Sequence, residues 1–245
     1  MNETIRLIQA HRSDRSYKSD PIPDEILDDI IECAHRAPTS KNSQQVSIVV
    51  VKNEAHRKRV AEITGQPWLA QAPVFLVFVA DLYKTGLGLD KIGVVQQTQH
   101  SVEGLMCATL DVGIALGTAI IAARSCGLGI VPIGSIRKDP QAMIDLLGLP
   151  KYTFPINGLA IGYVDEVATQ KPRLPLASFR HEENYHEENL GTAIDAYEVI
   201  LPAYWKQINR PDGLTWTKNT AATYGKVYYP KVKAAADAQG FTCED

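Results

Sequence analysis

A chain of 245 residues, 45% hydrophobic and 22% charged, is long enough to bury one large core and has the make-up of a soluble globular domain. With 25 basic and 28 acidic residues the net charge is −3, so no overall field draws nucleic acid or an anionic membrane, and any basic cluster must act locally. Cys33, Cys107, Cys126 and Cys243 form no C-x-x-C pair and no secreted disulfide framework, and residues 1–20 lack a signal-peptide pattern. A reduced cytoplasmic protein is expected, with three thiols in the core and Cys243 alone exposed.

Residues 3–10 predict a short helix that leads into His11-Arg12-Ser13-Asp14-Arg15-Ser16. Arginine's planar fork suits phosphate oxygens, and serine hydroxyls fill the rest. Pro21 and Pro23 restart the chain, and an amphipathic helix is expected over 24–36, with Ile26, Ile30, Cys33 and Ala37 as its apolar stripe and Leu27, Ile31 and Ala34 beside it. A polar loop, Thr39 to Gln45, follows and precedes a strand at 46–51; binding groups commonly lie on such loops. This strand and the run 74–80 are so continuously apolar that both are expected to be central, covered on two faces. Between them a charged helix spans 54–63, and a Thr64–Trp68 turn presents Gln66, whose amide suits a heteroaromatic edge.

A long helical region is expected over 91–126, divided at Gln96–His100. Its second part, 112–123, is apolar on every side. That run falls short of the roughly 20 residues a bilayer requires, so a buried core helix is expected rather than a membrane span. Further strands are predicted at 129–133 and 154–161, with Ile133-Gly134-Ser135 leaving the first, and Asp139-Pro140 and Gly148 bounding a helix. Beyond Tyr163 an extended, proline-bearing stretch carries Lys171-Pro172-Arg173. The turn at 181–189, with His181 and His186 among glutamates, lacks the H-E-x-x-H spacing of a zinc site and reads as solvated surface, with no metal. Helices at 190–208 and 216–239 complete one domain, 1–245, in which 165–245 is an extended segment plus a helical arm. The two basic segments are expected to close on one dianionic phosphate.

No G-x-S-x-G elbow, P-loop or complete dinucleotide fingerprint is present. What is present, in order, is H-R-S-x-R at 11–15, the polar loop through Gln44, T-G-Q at 64–66 before Ala70-Gln71-Ala72, G-L-G-x-V-x-I-G at 127–134 and K-P-R-L-P at 171–175. Together these resemble the FMN-dependent nitroreductase superfamily, in its oxygen-insensitive group A branch of NADPH nitroreductases and flavin reductases. The resemblance implies an α+β nitroreductase-like fold, with a central mixed sheet flanked by helices and a helical C-terminal arm. It also implies a homodimer with FMN sites at the interface. By the same resemblance His11, Arg12, Ser13 and Arg15 hold the FMN phosphate and ribityl chain, with Lys171 and Arg173 closing over them. Thr39 and Ser40 line the site, Gln66 bonds the pyrimidine edge, and Ile133, Gly134 and Ser135 lie against the flavin near N5.

The implied activity is hydride transfer from NADPH, or NADH, through flavin N5 to small-molecule acceptors such as nitroaromatics, quinones or free flavin, with no catalytic side chain. Gln207 stands where the branch usually carries an arginine for the coenzyme 2′-phosphate, with Lys206 and Arg210 close by. Tyr229 stands where a second arginine borders the acceptor pocket. Other readings are a flavoprotein oxidase that reduces oxygen to peroxide, a non-catalytic flavin-binding module, and a structural dimer without cofactor.

Overall fold

The computed structural model describes residues 2–244. Its sheet is laid down by four apolar runs: β1 (Val46–Val51), β2 (Val74–Asp81), β3 (Gly129–Ile133) and β4 (Thr153–Gly162), in the order β1-β2-β4-β3. Every pairing among them is antiparallel, where a mixed sheet was expected. All eight residues of β2 are buried, and their alternation divides the core in two. Leu76, Phe78 and Ala80 join one cluster, and Phe75, Val77 and Val79 join the other. The expectation for β1 needs correction: it is an edge strand, mostly half-buried, with Val50 exposed. Its apolar run signals cover from helices on its faces, not a central position.

The helices close both faces. On the first lies α2 (Asp24–His35), while the preceding α1 (Glu3–Gln9) buries no residue. The face that α2 buries is Leu27, Ile30 and Ala34, not the stripe through Cys33, which is exposed. The second face takes α3 (Glu54–Thr64), which Gly65 ends in the left-handed region at φ 69°. A helix that sequence periodicity missed, α4 (Leu82–Asp90), starts directly from β2, where the Asp81 carboxylate accepts from Lys84 N at 3.1 Å. The helix expected from residue 91 instead begins at Val102, where the Ser101 hydroxyl caps the 24-residue α5 (Val102–Ser125). Residues 91–97 are not helical, Gly93 turning the chain at φ 68°.

By length and composition α5 could cross a bilayer, because the helix extends well beyond the apolar run 112–123. Packing decides instead. Ala108, Val112, Ala115, Ala119 and Ala123 lie in the core beside α2 and the sheet, and the buried charge of Asp111 is on the same helix. The other face is open: in the run 112–123, expected to be buried all round, Ile114 and Ile121 are exposed by 36 and 37%, and before it Met106 and Leu110 are exposed by 61 and 64%.

Next comes α6 (Pro140–Leu147), capped by Asp139 and ended by Gly148 as its sequence predicts. The C-terminal part gives α7 (Glu188–Gln207), α8 (Trp216–Tyr224) and α9 (Lys231–Gln239). The single helix expected over 216–239 is split where Gly225 ends one helix and Pro230 precedes the next. Residues up to Ala168, together with those from Tyr229 onward, form one compact unit; Thr169–Tyr228 form a second. Ala235, Ala236 and Phe241 thus belong to the first unit's core. The thiols also depart from expectation. Cys33 and Cys126 are exposed, while Cys107 and Cys243 are half-buried; all four are free.

Candidate functional site

The basic loop is fixed to the end of the sheet by its own backbone. Asp14 N donates to Ile130 O on β3 at 3.0 Å, Lys18 N to Tyr163 O at 2.9 Å, and Asp165 N to Ser16 O at 3.1 Å. Gly129 permits this approach, because a Cβ there would lie 2.3 Å from Val164 and 3.1 Å from Asp14. Beneath the loop the Tyr17 hydroxyl donates to Asp14 O at 2.7 Å. Burial, and then the charge of Asp14, push that phenol well above its ordinary pKa.

Asp14 is fully buried and faces two arginines. Arg12 Nε donates to its Oδ1 at 3.3 Å, and Arg124 Nη1 lies 3.7 Å from its Oδ2. Two guanidiniums against one carboxylate leave an excess positive charge, which an anion would balance. His11, Arg12, Ser13 and Ser16 are half-buried, and Arg15 is exposed, its Nη1 donating to Ser13 O at 3.2 Å. Arginine forks and serine hydroxyls are the donor set a phosphate takes. Sequence reasoning overlooked Arg124, whose partner Asp14 is distant in the chain.

Leaving Ile130, β3 runs to Ile133 and opens into the Gly134-Ser135 turn. There the structure joins two sequence-predicted residues: Gln66 Nε2 donates to Ser135 Oγ at 2.5 Å. Ile133 is buried beneath the turn, whereas Gly134 is half-buried, with Arg137 Nη2 3.3 Å from where its Cβ would be. Arg137 is a second cation that sequence reasoning passed over. A cationic pole and an amide–hydroxyl pole therefore share one strand.

The Thr39–Gln45 loop is held from behind by Asp111 of α5. Ser40 N donates to both carboxylate oxygens, at 3.1 and 3.2 Å, and Gln45 Nε2 to Oδ2 at 3.0 Å. Lys41, Asn42 and Gln44 all adopt positive φ, 53–55°, so this clamp offsets real backbone strain. Thr39 Oγ1 accepts from Gln44 N at 3.1 Å. A groove of about 590 Å³ adjoins the loop, lined by Ala37, Thr39, Gln44, Ile48 and Lys84 among others. A lone aspartate in an otherwise apolar helix was the available signal for Asp111.

Within the second unit, Lys171 and Arg173 are exposed on an extended segment that Tyr197 fixes by donating its hydroxyl to Pro172 O at 2.7 Å. Arg173 Nη1 donates to Lys171 O at 3.0 Å. Lys171 Nζ and the Arg210 guanidinium carbon lie 4.9 and 5.4 Å from the Trp205 ring centre, so both cations lie over one indole. Gln207 lines a groove with Lys171, Arg173 and Tyr204, while Lys206 is exposed on the last turn of α7. Tyr229, half-buried, opens the segment that belongs to the first unit. In the 181–189 turn His186 N donates to His181 Nδ1 at 3.1 Å, and His181 stacks on Tyr185 at 4.4 Å.

The model of the "Nitroreductase family" matches residues 8–163, and that of the "Nitroreductase family, C-terminal domain" matches 171–244. The chain belongs to the nitroreductase family. Among members, a Bacillus subtilis protein named FMN reductase (NAD(P)H) is 41% identical over 248 aligned positions, with all of both chains covered. The solved structure of Bacillus megaterium NfrA2 superposes with a TM-score of 0.97 at 40% identity over 100% of each chain. The NADPH:FMN oxidoreductase of Vibrio harveyi, solved in complex with NAD+, gives 0.88 at 31% identity, covering 98% of this chain and 99% of its own. The nitroreductase match thus takes in every sequence-predicted site residue: those from His11 to Ser135 by the first model, those from Lys171 to Tyr229 by the second.

Proposed function

We propose that the protein is an FMN-dependent oxidoreductase that takes hydride from NADPH, with NADH as a second donor, and passes two electrons to small-molecule acceptors such as nitroaromatics, quinones or free flavin. One observation carries this reading: the two poles of β3. Its start anchors a loop with excess positive charge, and its end presents a glycine turn beside a bonded Gln66–Ser135 pair. An ionic tail and a flat heteroaromatic ring with polar edges are what such poles accept, and FMN has both. The relatives named FMN reductase and NADPH:FMN oxidoreductase support the same cofactor and coenzyme.

Bound FMN supplies the hydride chemistry at its N5. The chain's residues bind and orient. Arg12, Ser13 and Arg15, with His11, take the phosphate and ribityl hydroxyls. Arg15 also offers a cation to the negative charge that a reduced ring carries. Gln66 and Ser135 meet the ring's polar edge, Ile133 packs beneath it, and Gly134 lets backbone approach. Thr39 and Ser40 border the slot. Lys171 and Arg173 are read as further phosphate ligands on the ground of their residue types alone. Lys206, Gln207, Arg210 and Tyr229 are assigned to coenzyme or acceptor, and the first three lie on or just beyond the end of α7.

A homodimer with FMN sites at its interface is part of this reading, supported by the exposed apolar stripe of α5. A cytoplasmic setting is supported by four free thiols. The deciding experiment is anaerobic stopped-flow mixing of the purified protein with NADPH and, separately, NADH. The expected outcome is bleaching of bound flavin, faster with NADPH, and its return on adding a quinone. A protein that purifies colourless and takes up no FMN, or whose flavin neither coenzyme bleaches, would overturn the proposal.

A further inference from the structure

Asp14 poses an electrostatic problem for any anion site built on Arg12. A fully buried carboxylate beside that arginine cancels the charge on which phosphate binding depends. The structure supplies a second cation. From the last turn of α5, Arg124 brings Nη1 to 3.7 Å from Asp14 Oδ2 and donates from Nη2 to Ala10 O at 3.4 Å. Its side chain is only 9% exposed.

We propose that Arg124 is a positioning residue of the phosphate site: by compensating Asp14, it leaves Arg12 with a full positive charge to offer the ligand.

Three observations carry this. Asp14 takes Arg12 only through Nε, which leaves the Nη fork as the edge to meet a phosphate. Asp14 Oδ2 and Arg124 Nε are both buried without a hydrogen bond, so their association rests on charge rather than on a saturated bonding pattern. Burial first, and then the charge of Arg12, depress the Arg124 pKa, so the two guanidiniums share one field. Without Arg124 that balance fails. Asp14 would then draw Arg12 fully onto itself, and the Arg12–Asp14 pair would carry no net charge, leaving Arg15 as the loop's one uncompensated arginine.

The inference rests on the FMN reading, and the test separates the two. The flavin-free full chain is titrated with FMN and with riboflavin, which lacks the phosphate, by quenching of flavin fluorescence. For Arg124→Gln, FMN binding should weaken about tenfold, with riboflavin binding changed by less than about twofold. Arg124→Lys should stay within about threefold of wild type for FMN, because the charge is retained. Asp14→Asn combined with Arg124→Gln removes both charges and should recover most of the lost FMN affinity.

The proposal is overturned if Arg124→Gln binds FMN as wild type does, if riboflavin weakens in parallel, or if the double variant is no better than Arg124→Gln alone. A wild-type protein that prefers FMN while Arg124→Gln is silent would sink this role and leave the FMN reading intact. Equal wild-type affinity for both flavins would sink the phosphate reading itself, and this inference with it.

Discussion

Tyr17 ties the basic loop to the sheet with a single hydroxyl, donated to Asp14 O at 2.7 Å and lying 3.4 Å from Ala160 O. Its folded pKa lies well above the ordinary 10.0, first because the ring is buried and then because Asp14 repels a phenolate. A raised folded pKa adds stability that is complete below the unfolded value and is lost as pH climbs past it. Wild-type protein should therefore lose urea resistance once pH passes about 10. Tyr17→Phe should be less stable at neutral pH by about 1–2 kcal/mol and lack that alkaline component. Denaturation midpoints at neutral and alkaline pH check both. A second change, Arg15→Ala, should lower flavin occupancy without altering the melt of the flavin-free protein, because Arg15 is exposed and bonds only locally. Absorbance ratios of purified protein read this directly, and full occupancy with unchanged turnover would refute the role. Arg12 and Arg15 could be proposed for a phosphate from residue type and clustering, because guanidinium forks suit phosphate oxygens. Arg124 could not: its meaning depends on Asp14, 110 positions earlier in the sequence, and only the fold joins them.

Asp111 belongs to the scale of elements, because it couples helix α5 to the loop before β1. Its carboxylate serves Ser40 N and Gln45 Nε2 behind three positive-φ residues that would otherwise relax. Asp111→Ala should cost about 2–4 kcal/mol, leaving two donors unpaired in the interior. Hydrogen exchange should show faster exchange confined to 39–45 and the facing turns of α5. Uniform loss across the fold would argue against a local clamp. Elements were legible where periodicity and burial agreed. The run in β2 is buried on both faces and reads so, and Asp139 and Gly148 bound α6 as their chemistry dictates. Misreadings arose where tertiary position overrode local pattern. The edge strand β1 carries as apolar a run as a central one, because helices cover its faces. The start of α5 was hidden because the Ser101 cap, not apolar periodicity, sets it. In α4, Gly86 and Gly88 weaken the helical signal that the Asp81 cap restores.

For the whole molecule, the exposed side of α5 is the feature a single copy leaves unexplained. Met106, Leu110 and Ile114 repeat every four residues, and Gly113 and Gly117 beside them leave the helix surface low enough for close approach. The described residues leave this stripe in water, on a helix whose opposite side is locked in the core. A second copy related by a two-fold axis would bury both stripes at once. In the sequence the run 112–123 is apolar all round, which does not say which side the first unit's core uses, and uniform burial of that run was the expectation. Leu110→Arg places a charge in the middle of the stripe without touching the buried face. It should convert a dimer to monomer in sedimentation velocity while the far-ultraviolet spectrum stays unchanged. If the flavin sites lie at that interface, the same variant should lose FMN in proportion to the monomer formed, and raising protein concentration should restore both together. A variant that stays dimeric, or a monomer that keeps its flavin, would separate the association surface from the cofactor site.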